Sequence, residues 1–354
     1  MFYKNRTIYF KLLSLAPNSS SDYPVEFMKP FAIQVAGESI SGKLYCPFHV
    51  DLNPHTEVAQ LHSVNWAINF GLMPESGRIK LNAAKFGHLA GYCYQKENQV
   101  QLELVSDILT WLFLHDDRVD HRKSELSKDP DQLKSFNDAL MAIFNGKKLS
   151  KDQKQFKSDP LLQSLGNIKS RLYKLVPKSS YIHLRSTLER YFRSTIDMAS
   201  RRKFGEKVSL VSYPQSRRYT SAVEFVLELG WALRKINISD SVRRDMDFII
   251  MMENTNNHIC FINDQLSLNK ELELEDSMEN IVKVIKQDQP LLPWQKVFDE
   301  AIELSNIELF NFQQKLEFRK SDNFHIWAQL EQDWMEGSRR WHFESGRYSV
   351  SEIY

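Results

Sequence analysis

The sequence predicts an all-α protein built as a single-domain helical bundle, and three observations carry that reading. Long stretches repeat apolar residues at helical spacing. Strand-like alternation of Val, Thr and Ile is scarce. Only 12 glycines and 12 prolines punctuate 354 residues, so breaks between helices are few.

Taken in order, residues 1–54 read as an irregular, proline-punctuated lead-in packed on the same domain as 55–354. Helices are expected near 55–71, 77–94, 98–119, 132–145, 160–175, 179–202, 215–236, 239–274, 291–317 and 322–342. Pro177 and Pro214 mark breaks, because proline ends a preceding helix and suits the first turn of the next. The segments "HRKSELSKDPDQLKSFND" and "RKFGEKVSLVSYP" read as exposed loops. No repeat, low-complexity tract or linker divides the chain.

Bulk composition excludes several classes. With 46 basic against 45 acidic side chains the net charge is +1, which gives no footprint for nucleic acid. Cys46, Cys93 and Cys260 are odd in number and widely separated, which fits a reducing compartment and makes no zinc motif. Apolar runs such as "ILTWLFL" and "FIIMM" are too short to span a bilayer. The start, "MFYKNRTIYFKLL", lacks a signal-peptide pattern, so a cytoplasmic protein is expected.

Four stretches carry chemistry. "LFLHDDRVD" places Asp116, Asp117 and Asp120 at the end of an apolar helix. Carboxylates beside buried surface are costly unless a cation pairs with them. Asp116 and Asp120, four apart, share a face and form half of an oxygen site for a hard divalent cation. A solvated helix end is the bland alternative.

"NDQLSLNKE" places Asn263, Ser267, Lys270 and Glu271 within one narrow stripe, about 0°, 40°, −20° and 80° around a helix. An amide oxygen, a hydroxyl and a carboxylate beside an ammonium suit magnesium that also holds phosphate. "YPQSRRYTSA" opens a helix with Pro214, and Arg217 and Arg218 follow in its first turn, where basic groups oppose the helix dipole. One of the two answers a bound anion, and the stretch leaves open which. "WHFESGRY" sets Trp341, Arg347 and Tyr348 at the tail of the last helix.

Together these stretches resemble the class I terpene synthases of microbial type. "DDRVD" resembles their aspartate-rich motif. "NDQLSLNKE" is similar to their Asn-x-x-x-Ser-x-x-x-Glu motif with Lys before the Glu. "WHFESGRY" is similar to their Trp, five residues, Arg-Tyr ending, and the frame Trp334–Arg340 is the poorer match. "YPQSRRYTSA" resembles the segment of the diphosphate-sensing arginine, and "NPHTEVAQLHSVNWAINFGL" the first helix. The likeness runs from about residue 50 to 348 with the motifs in family order.

The resemblance implies the family's helical bundle, with the metal motifs on opposite walls of one cavity. Asp116 would bridge two magnesium ions, supported by Asp117 and Asp120, and Asn263, Ser267 and Glu271 would hold a third. Arg217, Lys270, Arg347 and Tyr348 would grip the diphosphate, with Arg218 as rival sensor. Phe113 and Trp341 would face the hydrocarbon. Thr220 and Ser221 stand where many relatives carry Asp and Gly, which puts in question the carbonyl role that the family gives the position of Ser221.

The activity implied is cyclisation of a linear prenyl diphosphate, farnesyl favoured over geranylgeranyl. A chain-elongating prenyl diphosphate synthase and a non-catalytic helical scaffold are the rivals. Homodimerisation is a habit of the family. The tail after Gly346 is expected to be mobile without ligand and to be lost at little cost in melting temperature.

Overall fold

The computed structural model describes residues 23–120, 124–273, 279–320, 323–348 and 350–352. Thirteen helices longer than one turn, among these residues, make up the body. They are α1 (Thr56–Asn69), α2 (Arg78–Ala84), α3 (Phe86–Cys93), α4 (Gln99–Asp120), α5 (Pro130–Phe144), α6 (Pro160–Leu175) and α7 (Lys178–Phe204), followed by α8 (Tyr213–Thr220), α9 (Val223–Leu233), α10 (Met246–Glu273), α11 (Ile281–Asp288), α12 (Trp294–Phe318) and α13 (Phe324–Glu344).

Their starts are legible chemistry. Asp129 accepts from the backbone N–H groups of Asp131 and Gln132 ahead of α5, and Asp159 accepts from Leu161 ahead of α6. Each cap is followed by proline at the first helical position, where no N–H is needed.

Two expected helices are broken at a left-handed residue, and a third, 239–274, starts with a separate single turn, Asp240–Arg243, before Met246–Glu273. The stretch 77–94 divides at Lys85, whose φ of 50° is left-handed, and 215–236 divides at Ala222, φ 58°. Neither residue is glycine, so periodicity carries no warning of either break. The first break brings α3 close to α1: a Cβ on Gly87 would lie 2.5 Å from the Gln60 Cα. The second lets α8 and α9 point in separate directions beside the site. Helix α11 is an addition to the expected set; eight residues long, it begins at the Asn280 cap.

Of the lead-in, residues 1–22 lie outside the described residues, and the described part is not irregular. Strands β1 (Met28–Val35) and β2 (Glu38–Tyr45) form an antiparallel hairpin, and β3 (Val350–Glu352) pairs with β1 from the other side. The turn is tight because Ala36 and Gly37 both take positive φ, 50° and 85°, the condition for a two-residue hairpin turn. Phe31, Ile33 and Val35 alternate inward and are fully or nearly buried, with β2 lying on α12. So the hairpin ahead of α1 and residues 350–352, after the last described helix, share one small sheet. No described helix is long and apolar enough to cross a membrane.

Candidate active site

Helices α4 and α10 face each other across a cavity of about 320 Å³. Asp116, Asp117, Arg217, Thr220, Asn263, Ser267, Lys270, Glu271, Arg347, Tyr348 and Phe113 all line it, together with Lys80 and Glu279. Residues separated by more than two hundred positions thus converge on one cavity. Asp120 closes α4, and its side chain lies outside the described residues.

This ionic rim opens inward to a second cavity, about 120 Å³, lined by Leu89, Leu109, Leu112, Val226, Ile259 and Trp341 among others. Phe113, Asp116, Arg217, Thr220 and Asn263 line both spaces. Phe113 lies 5.2 Å from Trp341 and stacks on Phe86 at 4.6 Å. Ser221 lines the inner chamber beside the break at Ala222. Its hydroxyl donates to the Arg218 carbonyl at 3.0 Å and accepts from Val223 N at 3.2 Å.

The rim is held together by ion pairs. Arg347 donates to both oxygens of Asp117, and Lys270 Nζ adds a third bond at 3.1 Å. Burial alone would raise the Asp117 carboxyl, but the Arg347 and Lys270 charges outweigh it and hold the group well below its ordinary range. Asp116 behaves oppositely: burial, then the neighbouring Asp117 charge, raise it. Among the described residues Asp116 has no hydrogen-bond or ion-pair partner.

On the second wall Ser267 Oγ donates to Glu271 Oε1 at 2.6 Å, and Asn280 Nδ2 donates to Glu271 Oε2 at 3.1 Å. Arg217 Nη2 donates to Asn263 Oδ1 at 2.9 Å, and its Nε to Asp264 Oδ1 at 3.0 Å. Arg218 turns away: it pairs with Glu253 and lines a separate surface hollow with His183 and Arg190. That separation is the consequence of adjacent residues lying about 100° apart on a helix.

Sequence reasoning missed four residues here. Asp264 is fully buried and accepts from the Tyr213 hydroxyl, Arg217 and Ile281 N. Asn280 caps α11 while its amide reaches the Asp264 carbonyl and Glu271. Lys283 lies 3.5 Å from Glu271. His342 contacts Asn263. The asparagine before "IVKVIK" is a readable cap, and His342 lies inside "WHFESGRY"; only the fold puts either beside the stripe.

The donor set fits a hard divalent ion. Asn263, Ser267 and Glu271 offer only oxygen, and Asp116 is an acid facing the cavity without a partner. No three His, Cys, Asp or Glu side chains among the described residues cluster as a site. The candidate ligands are instead split over two walls and include an amide and a hydroxyl.

An all-α bundle whose charged rim opens into an apolar, aromatic chamber is the arrangement of a class I terpene synthase. Residues 107–308 match the terpene synthase family 2, C-terminal metal binding, and the chain belongs to that family. It is 27% identical over 313 residues to germacrene A synthase of Nostoc punctiforme, covering 86% of this chain and 94% of that one. It is 24% identical to (+)-T-muurolol synthase of Roseiflexus castenholzii, covering 87% and 93%. The fold is similar to that of α-eudesmol synthase, TM-score 0.73 at 16% identity, over 85% of this chain and 98% of that one. Wild-type cucumene synthase gives 0.68 at 16%, over 84% and 98%. The enzyme is a terpene cyclase, a lyase acting on a prenyl diphosphate.

Proposed function

We propose that this cyclase takes farnesyl diphosphate and requires three magnesium ions. The observation that carries the reading is the shared wall: Phe113 and Asp116, one turn apart on α4, line both the ionic rim and the apolar chamber. A substrate with a diphosphate at one end and a hydrocarbon at the other matches that division. The names of two relatives specify cyclisation of (2E,6E)-farnesyl diphosphate, which supports the fifteen-carbon chain.

Asp116, supported by Asp117 and Asp120, and the Asn263–Ser267–Glu271 stripe would hold the ions. Bound there, magnesium would supply Lewis acidity to the departing diphosphate, so no acid proton would be needed. Arg217, Lys270, Arg347 and Tyr348 donate to diphosphate oxygens as negative charge develops. To do so Arg347 and Lys270 exchange Asp117 for the ligand, and Arg217 exchanges Asn263. Phe113 and Trp341 then face the allylic cation with their ring quadrupoles, each contact worth ~2 kcal/mol or more when dry. The closed chamber keeps water from quenching the cation before ring closure. Thr220 and Ser221, at the chamber wall, border the hydrocarbon. The hairpin and residues 55–354 would fold as one unit.

Incubation with ten-, fifteen-, twenty- and twenty-five-carbon diphosphates and magnesium, followed by gas chromatography and mass spectrometry, tests the reading. A cyclic fifteen-carbon product is expected. Chain elongation with isopentenyl diphosphate, or turnover of the twenty-carbon substrate alone, would replace it.

A further inference from the structure

His342 follows Trp341 on α13 and has no part in the roles above. It is buried and lines the inner chamber. Its Nδ1 lies 2.6 Å from the Ser338 carbonyl oxygen, and its Nε2 lies 2.9 Å from Asn263 Nδ2. On the other side of that amide, Arg217 donates to Oδ1 at 2.9 Å.

These contacts admit one proton assignment. A guanidinium only donates, and a backbone carbonyl only accepts. The amide therefore turns its oxygen to Arg217 and its nitrogen to the imidazole. The imidazole carries its proton on Nδ1, given to Ser338, and accepts at Nε2. Its plane is fixed by Tyr348, stacked at 5.0 Å and 20°, and by Trp341, edge-on at 4.8 Å and 70°.

We propose that His342 is a positioning residue that holds the Asn263 amide with its oxygen, not its nitrogen, turned to the metal side of the rim. The inference rests on the reading of Asn263 as a metal ligand. It matters most once Arg217 turns to the diphosphate. From then on His342 is the group that still distinguishes the two ends of the amide. A flipped amide would present N–H donors to a cation, where a lone pair is needed. A role as the final proton acceptor does not fit this geometry, because the Nε2 lone pair is already taken by Asn263.

The test follows melting temperature against magnesium concentration at fixed pyrophosphate. His342→Phe keeps a ring against Tyr348 and removes the acceptor. Loss of a partner that orients a ligand costs about tenfold or more in metal affinity, so half-saturation should rise by that factor. His342→Gln returns an acceptor oxygen and should recover most of the loss. In Asn263→Asp the two oxygens are equivalent, so adding His342→Phe there should change half-saturation by less than about twofold.

A His342→Phe curve that superposes on wild type overturns the proposal, and more so if the olefin products change, which would make His342 a proton acceptor. An equal loss in the Asn263→Asp background overturns it too. Where Asn263→Asp no longer responds to magnesium, the contrast between Phe and Gln decides. A wild-type protein unmoved by magnesium and pyrophosphate removes the metal reading of Asn263 and the proposal with it.

Discussion

Arg347 holds both carboxylate oxygens of Asp117, Nη1 at 3.0 Å and Nη2 at 2.6 Å, across 230 positions of sequence. Asp116, the adjacent residue, pairs with nothing described. Two neighbouring aspartates therefore stand in opposite electrostatic positions. Asp117→Asn leaves the Arg347 side chain, 7% exposed, without its counterion. Because Asp117 itself is one-third exposed, the cost should be on the order of 1–3 kcal/mol rather than that of a fully buried pair. Asp116→Asn removes an unpaired acid and should leave the free protein as stable or slightly more so. Melting curves of the free variants, set beside turnover, check this: both should lose activity, Asp116→Asn more, and only Asp117→Asn should lose stability.

Turnover should depend on a divalent cation, because every candidate ligand is oxygen and the rim's cations, Lys80, Arg217, Lys270 and Arg347, are matched by its acids, Asp116, Asp117, Glu271 and Glu279, before any diphosphate arrives. Dialysis against EDTA is expected to abolish product formation and magnesium to restore it. Full activity in EDTA would rule out metal-assisted ionisation of the diphosphate.

Much of this site is legible in the sequence because helical spacing is rigid. Asn263, Ser267 and Glu271 have to share a face whatever they pack against, and Arg217 and Arg218 have to diverge. What stays hidden depends on tertiary partners. Lys85 and Ala222 take left-handed backbone without being glycine, so periodicity runs through both breaks unbroken. The hairpin escapes notice because eight-residue strands are a faint signal in a helical chain, although Phe31, Ile33 and Val35 do alternate inward. Asp264 lies off the metal stripe, and the stripe alone makes it expendable. Its burial against Tyr213 and Arg217 makes it an anchor instead.

The arginines can be separated on that basis. Arg217→Ala should be nearly inactive, a loss of a few kcal/mol in the barrier at about tenfold per 1.36 kcal/mol. Arg218→Ala should survive, since its partners Glu253 and the Pro214 carbonyl lie outside the cavity. Asp264→Ala should lose stability as well as activity, because it leaves a buried guanidinium and the Ile281 N–H short of an acceptor. Activity measured at matched folded fraction checks all three; an Arg218→Ala enzyme as dead as Arg217→Ala would reassign the sensor.

Stability should pass through a maximum near mildly acidic pH. Burial raises Glu331 to about 8 and Glu308 to about 7, from an ordinary 4.5. A raised folded value means that this stability is complete below the unfolded value and is lost as pH climbs through the folded one. Burial lowers His115, His258 and His342 to about 4 from 6.5, so their contribution is present above 6.5 and is lost as pH falls toward 4. Glu331→Gln keeps the shape without the charge. It should flatten the decline in melting temperature between pH 6 and 8.5, gaining on the order of 2 kcal/mol over wild type at the alkaline end. Parallel curves for the two proteins would show that Glu331 does not titrate in this range.

The tail is where the structure most changes the expectation. A segment after Gly346 that closes only over ligand should cost little when removed from the free protein. In the structure it is already anchored on both sides. Trp341 Nε1 and Ser345 Oγ both donate to the Ala84 carbonyl, at 2.9 and 3.0 Å, and Gly346 N donates to that of Ala83 at 2.7 Å. Tyr348, 8% exposed, stands edge-on to Trp341 at 5.6 Å, and the Arg347 guanidinium lies 4.9 Å from the Phe113 ring centre. Beyond them β3 pairs with β1, Val350 opposite Ile33. Truncation after Gly346 should therefore lower the melting temperature of the free protein by about 4–10 °C, the loss of two buried side chains and an ion pair. It should also abolish most cyclase activity. Truncation after Tyr348 removes residues 349–354, β3 among them, and isolates the role of the strand pairing. That enzyme should keep Arg347 and Tyr348, melt closer to wild type, and release more water-quenched alcohol, because a lid without its outer anchor admits solvent to the cation. Melting curves and product profiles of the two truncations decide between anchor and fray: wild-type values for the shorter chain would mean that neither the Asp117 pair nor the β1 ladder holds the tail in place.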